Sequence, residues 1–167
     1  MLRFSGKKLQ NEDMKILREV AKFTMNKFLA PSTQKKTEVK IRLVENLNGW
    51  QGECAYLGRK GDVRQFVVNV SISKINKRAK CDIARMKEPI KTLIHELVHV
   101  KQYANNQMFD YVDGVSTRFE GRLYQNKLDY EAYWNSPWEI EAYGRTEGMF
   151  EMFMVERKKK QKAMKRM

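Results

Sequence analysis

Near the middle of the chain lies the segment Lys91-Thr92-Leu93-Ile94-His95-Glu96-Leu97-Val98-His99-Val100-Lys101, whose apolar residues surround two histidines in a helical pattern. Residues four apart lie one turn apart on the same face of a helix, so the imidazoles of His95 and His99 can reach one metal ion. Glu96 is rotated by about 100° from His95 and lies beside such an ion. There its carboxylate can accept a proton from water and return it to a leaving amine. The segment predicts a buried helix that carries two metal ligands and a catalytic base.

The two histidines have a simpler alternative interpretation, a structural or surface pair with Glu96 in solvent. Apolar neighbours on both sides favour the metal site instead. His95 and His99 are the only histidines in the sequence, and catalytic zinc usually takes three protein ligands, so the third ligand has to be another residue type. Cys54 lies in a predicted strand and Cys81 in a basic stretch, which makes a carboxylate the natural candidate.

Glu139 fits this role by its position on the last predicted helix. At about 100° per residue, the apolar residues of that helix fall within an arc of about 140°, and Glu139 lies near the middle of the arc. Glu141 lies about 60° outside it, toward Arg145. A carboxylate on an apolar face is costly unless a cation or a metal meets it there, so Glu139 is the expected third ligand and Glu141 the second choice. The alternative is a capping box, in which Glu139 turns back to the backbone amide of Ser136.

Charge is unevenly distributed along the chain, which has 167 residues and a formal net charge of +13. Residues 91–156, which carry the candidate site, have a net charge of −5, whereas residues 157–167 hold seven basic groups and no acid. The length fits one domain. We expect this domain to span residues 1–156, with residues 157–167 as a basic C-terminal tail.

Composition excludes several classes of protein. No apolar run approaches the roughly 20 residues of a membrane span, and residues 1–10 lack the apolar stretch of a secretory signal. The two cysteines are too few for a disulfide scaffold or a four-thiolate zinc site. We therefore expect a cytoplasmic protein with no membrane partner.

Upstream of the histidine helix, the hydrophobic pattern predicts one helix and three strands. The helix covers residues 11–29, and the strands cover residues 38–45, 50–58 and 64–73. Turn signals at Asn48-Gly49 and Gly61-Asp62 separate the three strands. This spacing is typical of an antiparallel meander.

Further along the chain, residues 74–87 are polar and basic and predict a linker. Pro89 then suits the first position of the histidine helix, where a missing N–H costs nothing. Residues 104–136 are expected to be irregular, with a turn at Asp113-Gly114, and the last helix begins at Ser136-Pro137 and runs into the basic tail. Together these elements predict the α+β class.

The motif from His95 to His99, followed by Glu139-Ile140-Glu141-Ala142, resembles a small zincin of the gluzincin type. It is most similar to the compact SprT-like and other metallopeptidase domains of tailed phages and bacteria. The third ligand of gluzincins opens a Glu-x-x-Ala pattern, which Glu139 and Ala142 match, whereas Tyr143 stands where gluzincins often place Asp or Asn. The resemblance implies a minimal zincin-like fold over residues 11–156: a helix, a three-stranded, mainly antiparallel sheet, the histidine helix and a glutamate-bearing helix. It also implies a Zn²⁺ cofactor and, where such a domain is phage-encoded, the host cytoplasm.

The leading hypothesis is a zinc-dependent endopeptidase that acts on proteins or peptides. His95, His99 and Glu139 would hold the ion, and Glu96 would act as general base and then as general acid. The substrate would lie extended beside an edge strand, for which residues 64–73 are the candidate. A donor for the oxyanion is also needed, and the sequence leaves it open among Tyr103, Tyr111, Tyr124, Tyr130, Tyr133, Tyr143 and Arg145.

The second hypothesis is a nucleic-acid-associated or virion and scaffold protein that has a zincin fold. Its support is the tail at residues 157–167, because clustered lysines can neutralise phosphates without reading base sequence. Alternatively, the tail is a solvated helix end, where cations suit the helix dipole. The two hypotheses are compatible if the peptidase acts on proteins bound to nucleic acid.

Overall fold

The computed structural model describes residues 1–79, 81–125 and 130–164, and it belongs to the mixed α+β class. The helices in these ranges are α1 (Asn11–Phe28), α2 (Pro31–Lys35), α3 (Asp82–Ala104), α4 (Tyr130–Asn135) and α5 (Pro137–Met164). The strands are β1 (Leu2–Gly6), β2 (Thr37–Val44), β3 (Gly52–Lys60), β4 (Val63–Ser71), β5 (Met108–Asp110), β6 (Ser116–Phe119) and β7 (Arg122–Gln125). Among the helices described, none is both long and apolar enough to cross a membrane.

The larger sheet is mixed and four-stranded, with the order β1-β2-β4-β3. β2 pairs in parallel with β1 and with β4, and only β3 and β4 are antiparallel. The prediction of a three-stranded antiparallel meander is therefore wrong. The turn at Asn48-Gly49 is present, with positive φ at both residues, but it joins strands that do not pair with each other. β3 leaves β2 and pairs with β4 instead, so residues 64–73 are not an edge strand and β3 is.

The core lies between the sheet and the helices α1, α3 and α5. Val39, Ile41 and Leu43 alternate along β2 and face this core, because each is at most 1% exposed. α1 packs against α3, which in turn packs against β3, β4 and α5. Buried side chains of these three helices fill this space, and among them are Ile16, Leu17, Val20, Ile90, Leu93, Ile94, Leu97 and Phe150. α3 is thus enclosed on several sides, which buries the face that carries the histidines.

The histidine helix begins earlier than the sequence predicts. α3 starts at Asp82, so residues 82–87 of the predicted linker are helical and Pro89 lies inside the helix. Because proline has no backbone N–H, the carbonyl of Arg85 lacks the hydrogen bond that residue 89 would otherwise donate within the helix. This carbonyl instead accepts a hydrogen bond from the backbone N–H of Asn76 at 3.0 Å. The segment before α3 thereby compensates for the proline and anchors the start of the helix.

Residues 104–136 are more regular than predicted. β5, β6 and β7 form a separate antiparallel sheet, and α4 follows it; residues 126–129 lie outside the described residues. The turn predicted at Asp113-Gly114 is confirmed, since it separates β5 from β6 and Gly114 has a φ of 69°. The carboxylate of Asp113 accepts hydrogen bonds from the backbone N–H groups of Val115 and Ser116 at 3.0 and 2.9 Å. These bonds stabilise the turn locally.

The last helix begins at Pro137, as predicted. α5 continues through residues 156 and 157, where the boundary between domain and tail was expected, and it carries the tail as helix to Met164. Residues 165–167 of the predicted tail lie outside the described residues. The metal-site end and the basic end of α5 therefore belong to one continuous helix.

An ion pair between α1 and α3 generates a stability prediction. Asp13 is 5% exposed and lies 2.6 Å from Arg85, which also contacts the 44% exposed Asp82 at 2.8 Å. We expect Asp13→Asn to lower the free energy of unfolding by about 2–3 kcal/mol, because it leaves Arg85 partly buried without its closest charge partner. Asp82→Asn is the matched control and should cost less than about 1 kcal/mol, since solvent screens that pair. Urea unfolding of both variants measures the difference, and equal losses would contradict the role of Asp13.

Candidate metal centre

Three buried side chains from α3 and α5 meet at one point. The Nε2 atoms of His95 and His99 lie 3.2 Å apart. Glu139, in the first turn of α5, places one carboxylate oxygen 3.3 Å from Nε2 of His95 and the other 3.4 Å from Nε2 of His99. The three residues are only 9%, 8% and 6% exposed. Helix α3 sets the spacing of the histidines, and its packing against α5 brings the glutamate to them.

This donor group fits a small divalent cation. Ligand atoms about 2.0–2.1 Å from a tetrahedral zinc ion are about 3.3 Å from one another, which matches the observed spacings. Oε2 of Glu139 is buried and makes no hydrogen bond of standard geometry. Across the described ranges, this is the one group of three or more potential ligands that meets the spacing of a metal site. An ion there would satisfy the buried carboxylate oxygen and both imidazoles.

The protonation states of these residues also suit metal binding. Burial lowers the pKa of His99 by more than the neighbouring carboxylate raises it. Burial opposes the ionisation of Glu139, but its hydrogen bond to His95 and the nearby imidazole of His99 outweigh burial and lower its pKa. At neutral pH His99 is therefore neutral and Glu139 is ionised, which are the forms that bind a metal.

Glu96 lies beside the donor group and is 5% exposed. Its pKa is raised well above the usual value by burial and, to a smaller extent, by the charges of Glu139 and Glu53. A carboxylate with a raised pKa is a better proton acceptor than one in water. The structure therefore places a carboxyl group with a raised pKa directly beside the donor group.

Gly52, the first residue of β3, makes room for Glu96. A Cβ at this position would lie 2.3 Å from Oε1 of Glu96 and 2.7 Å from the methyl group of Thr92. Any other residue would therefore push the Glu96 carboxylate away or move the strand. The sequence showed Gly52 only as a residue near the start of a strand, and no local pattern connects it to Glu96.

A chain of hydrogen bonds fixes His99 from behind. Nδ1 of His99 lies 2.9 Å from Oε1 of Gln102, a fully buried residue. Nε2 of Gln102 donates to the backbone carbonyl of Trp138 at 2.9 Å and to Glu141 at 3.0 Å. If the Gln102 amide were flipped, its oxygen would face the oxygens of Trp138 and Glu141, which can only accept hydrogen bonds. Oε1 of Gln102 therefore faces His99 and accepts a hydrogen bond from its Nδ1–H. The Nε2 lone pair of His99 is thereby free to bind a metal.

Glu141 is therefore a supporting residue and lies outside the donor group. Its carboxylate accepts hydrogen bonds from Gln102, from the buried Lys101 at 2.5 Å and from Arg145 at 2.7 Å. These contacts lower the pKa of Glu141 against the opposing effect of burial. The helical wheel predicted that Glu141 lies on the side of Arg145, and the ion pair between the two residues confirms this prediction. Gln102 was missed, although its position three residues after His99 on the same helix face was a signal that could have identified it.

Aromatic side chains form one wall of the site. The ring of Tyr143 packs against His95 with centroids 4.4 Å apart, and Trp134 packs on Tyr143 at 4.8 Å. The hydroxyl of Tyr133 hydrogen-bonds to Glu139 and to Tyr143. The aromatic wall consists of Tyr133, Trp134 and Tyr143, and the sequence indicated only that this region was rich in aromatic residues.

The donor group opens into a cleft of about 560 Å³ between α3, α5 and the start of β3. Trp50 and Tyr133 lie at its rim, with ring centroids 5.8 Å apart. Among the described residues, the charged side chains that line it, apart from the histidines, are acidic: Glu53, Glu96 and Glu139. A substrate would therefore meet the donor group, Glu96 and the edge strand β3 within one cavity.

Of the predicted site residues, the structure brings His95, Glu96, His99 and Glu139 together. The capping box is not formed, because the backbone N–H of Ser136 donates to the carbonyl of Tyr133 and Glu139 faces the histidines. Comparison of the chain with protein-family models, with curated proteins and with solved structures finds no match.

The Gln102 contact generates a prediction about the tautomer of His99. We expect Gln102→Leu to abolish the preference for the Nδ1–H tautomer, because the acceptor is lost while the cavity remains filled. Long-range nitrogen–proton NMR of the metal-free protein measures this, and zinc affinity should fall by about 10–100-fold. Gln107→Leu, outside this hydrogen-bond chain, is the matched control and should change neither quantity. An unchanged tautomer in Gln102→Leu would show that Gln102 does not position His99.

Proposed function

We propose that this protein is a zinc-dependent metallopeptidase that cleaves internal peptide bonds. The observation that carries the proposal is the convergence of His95, His99 and Glu139 in a cleft, with Glu96 buried beside them. Two imidazoles and one carboxylate are a ligand set that catalytic zinc takes in peptidases. We further propose a gluzincin-type zincin, similar to SprT-like domains, in which α3 is the motif helix and α5 the glutamate-bearing helix.

Each residue of the site has a role in the proposed reaction. His95, His99 and Glu139 would hold Zn²⁺, which when bound supplies a Lewis acid that polarises a carbonyl and lowers the pKa of water. Glu96 would accept the proton of the attacking water and then deliver it to the departing amine. Gln102 would keep the His99 imidazole in the orientation and tautomer that binding requires.

The edge strand β3 is the proposed site of substrate binding. Its start lines the cleft through Gly52, Glu53 and Cys54, and its outer edge is not paired with another of the described strands. An extended peptide could add to this edge by main-chain hydrogen bonds, which bind any sequence, while side chains in the cleft select among peptides. This geometry would present a peptide bond to Glu96.

Tyr133 and Tyr143 are the proposed donors to the oxyanion. Tyr133 lines the cleft and hydrogen-bonds to Glu139. Tyr143 lies beside the donor group as well, because its ring packs against His95 with centroids 4.4 Å apart. A hydroxyl beside the donor group can stabilise charge that develops on a carbonyl oxygen.

Substitution of a proposed ligand should lower zinc affinity more than substitution of the neighbouring Glu141. We expect about one zinc ion per chain, a near-complete loss in His99→Ala and a strong loss in Glu139→Ala, because a three-ligand site loses a direct bond. Glu141→Ala should cost only about tenfold in affinity, since it acts through Gln102. Elemental analysis and competition with a chelator measure both. Wild-type protein that binds no zinc, or a larger loss in Glu141→Ala than in Glu139→Ala, would contradict the assignment.

The proposed base can be separated from the ligands by its effect on hydrolysis alone. We expect Glu96→Gln to retain zinc but to lower peptide cleavage by at least about 100-fold, because an amide cannot accept the proton. Gly52→Ala should also retain zinc and lower cleavage, since the added methyl group displaces the Glu96 carboxylate. Gly148→Ala, on α5, is the control for glycine loss, because an added Cβ there meets no atom within 4 Å. Cleavage of a quenched fluorescent peptide is the measurement, and full activity in Glu96→Gln would rule out the mechanism.

A further inference from the structure

A second concave surface lies away from the metal cleft, between α1 and the C-terminal half of α5. This α1–α5 groove has a volume of about 590 Å³. Its floor includes Phe23 and Phe153, whose rings pack against each other at 5.7 Å. Phe153 lies 14 residues after Glu139 on α5, which is about 20 Å along the helix axis. The basic residues that line the groove come from both helices and are Lys15, Lys22, Lys27, Arg157 and Lys160.

The carboxylates of the groove do not balance this charge. Glu19 pairs with Arg157 at 3.3 Å and Glu156 pairs with Lys160 at 2.9 Å. These are the two acidic residues of the lining, so each is already neutralised by a cation of the groove itself. Within the described part of the chain, Lys22 and Lys27 are exposed and form no close ion pair, although Lys27 lies over the ring of Phe23 at 5.6 Å and its charge acts on Glu156. The groove therefore offers free positive charge to an incoming anion.

The basic surface extends beyond the groove along both helices. On α1, Lys15, Arg18 and Lys22 follow a spacing of three and four residues, which puts them on one face of the helix. On α5, Lys158, Lys159 and Lys162 are also exposed, but they are not among the residues that line the groove. A helix dipole accounts for cations at the C-terminal end of α5. The dipole of α1 likewise favours Lys27, in the last turn of that helix, but it does not account for Lys15 and Arg18, which lie in the N-terminal half, where the dipole disfavours cations.

We propose that the α1–α5 groove binds the phosphate backbone of a single strand of nucleic acid. A strand is a linear array of phosphates that fits a concave, basic channel between two helices, whereas a flat bilayer or a whole duplex could contact only the rim. The aromatic floor is buried, with Phe23 8% and Phe153 4% exposed, so bases cannot stack on it. Binding would consequently be electrostatic and independent of base sequence.

This surface is independent of the proposed peptidase activity, and it differs from the basic tail predicted from the sequence. The tail alone would bind through α5, whereas the groove also requires lysines of α1. Substitutions on α1 therefore distinguish the two, because they leave every residue of the tail in place. They also lie outside the metal cleft, so zinc content reports separately on the proposed metal site.

The test is fluorescence anisotropy of a labelled 20-nucleotide oligothymidine with the full chain at several salt concentrations. We expect wild-type affinity to fall steeply with salt, with a log–log slope of about −0.7 for each phosphate contact. Lys22→Glu/Lys27→Glu should weaken binding by at least about tenfold near 0.1 M salt and make the slope shallower by about 1.4. Arg59→Glu/Lys60→Glu is the matched control, because it makes the same charge change at exposed residues outside the groove, and it should retain most of the affinity.

Several outcomes would overturn the proposal. Equal losses of affinity in Lys22→Glu/Lys27→Glu and in the control would show that only the net charge of the protein matters. Unchanged affinity in Lys22→Glu/Lys27→Glu would show that the tail binds the strand without the groove. Tighter binding of a matched duplex than of the single strand would exclude a single-strand channel. Binding to vesicles with anionic phospholipid, without affinity for the oligonucleotide, would identify a membrane surface. Unchanged zinc content and thermal unfolding in both double variants would show that folding is intact.

Discussion

The contact between α3 and α5 is the interaction on which the site depends, and the buried amide of Gln102 fixes it. Gln102 joins the imidazole of His99 to the backbone of Trp138 and the carboxylate of Glu141. If α5 rotated or slid by one turn, these buried polar groups would lose their partners, which costs about 1–3 kcal/mol for each group. The same register places Glu139 against both histidines. A hydrogen-bond chain behind the histidines thus determines where Glu139 lies.

The acidic and the basic part of the sequence lie at opposite ends of the helix α5. At its first turn, α5 contributes Glu139 to an acidic cleft, and at its far end it contributes Arg157 and Lys160 to the basic groove. The acidic lining of the cleft favours a cation and adds to the effect of burial, which is the main cause of the raised pKa of Glu96, whereas the basic lining of the groove favours an anion. If both proposals hold, the separation of about 20 Å keeps a bound polyanion from neutralising the cation of the cleft.

The sequence predicted those parts of the molecule that depend on local spacing. His95 and His99 share a face because they are four residues apart, and Glu139 was identified because it lies among apolar residues of its helix. The parallel pairing of β1 with β2, the edge position of β3 and the approach of Gly52 to Glu96 could not be predicted. Each of these arises from contacts between segments distant in sequence, and neither hydrophobic alternation nor a turn signal specifies which strands pair.

The order of the elements along the chain has a consequence for how the site assembles. In sequence, α1 and α2 separate β1 from its partner β2, and β3 separates β2 from its partner β4. Each of these parallel pairs therefore joins segments that are distant along the chain, which slows folding. During synthesis from the N-terminus, the two histidines of α3 emerge well before the glutamate of α5. The two imidazoles therefore remain without the carboxylate of Glu139 until α5 docks on α3, and the donor group is complete only at that point.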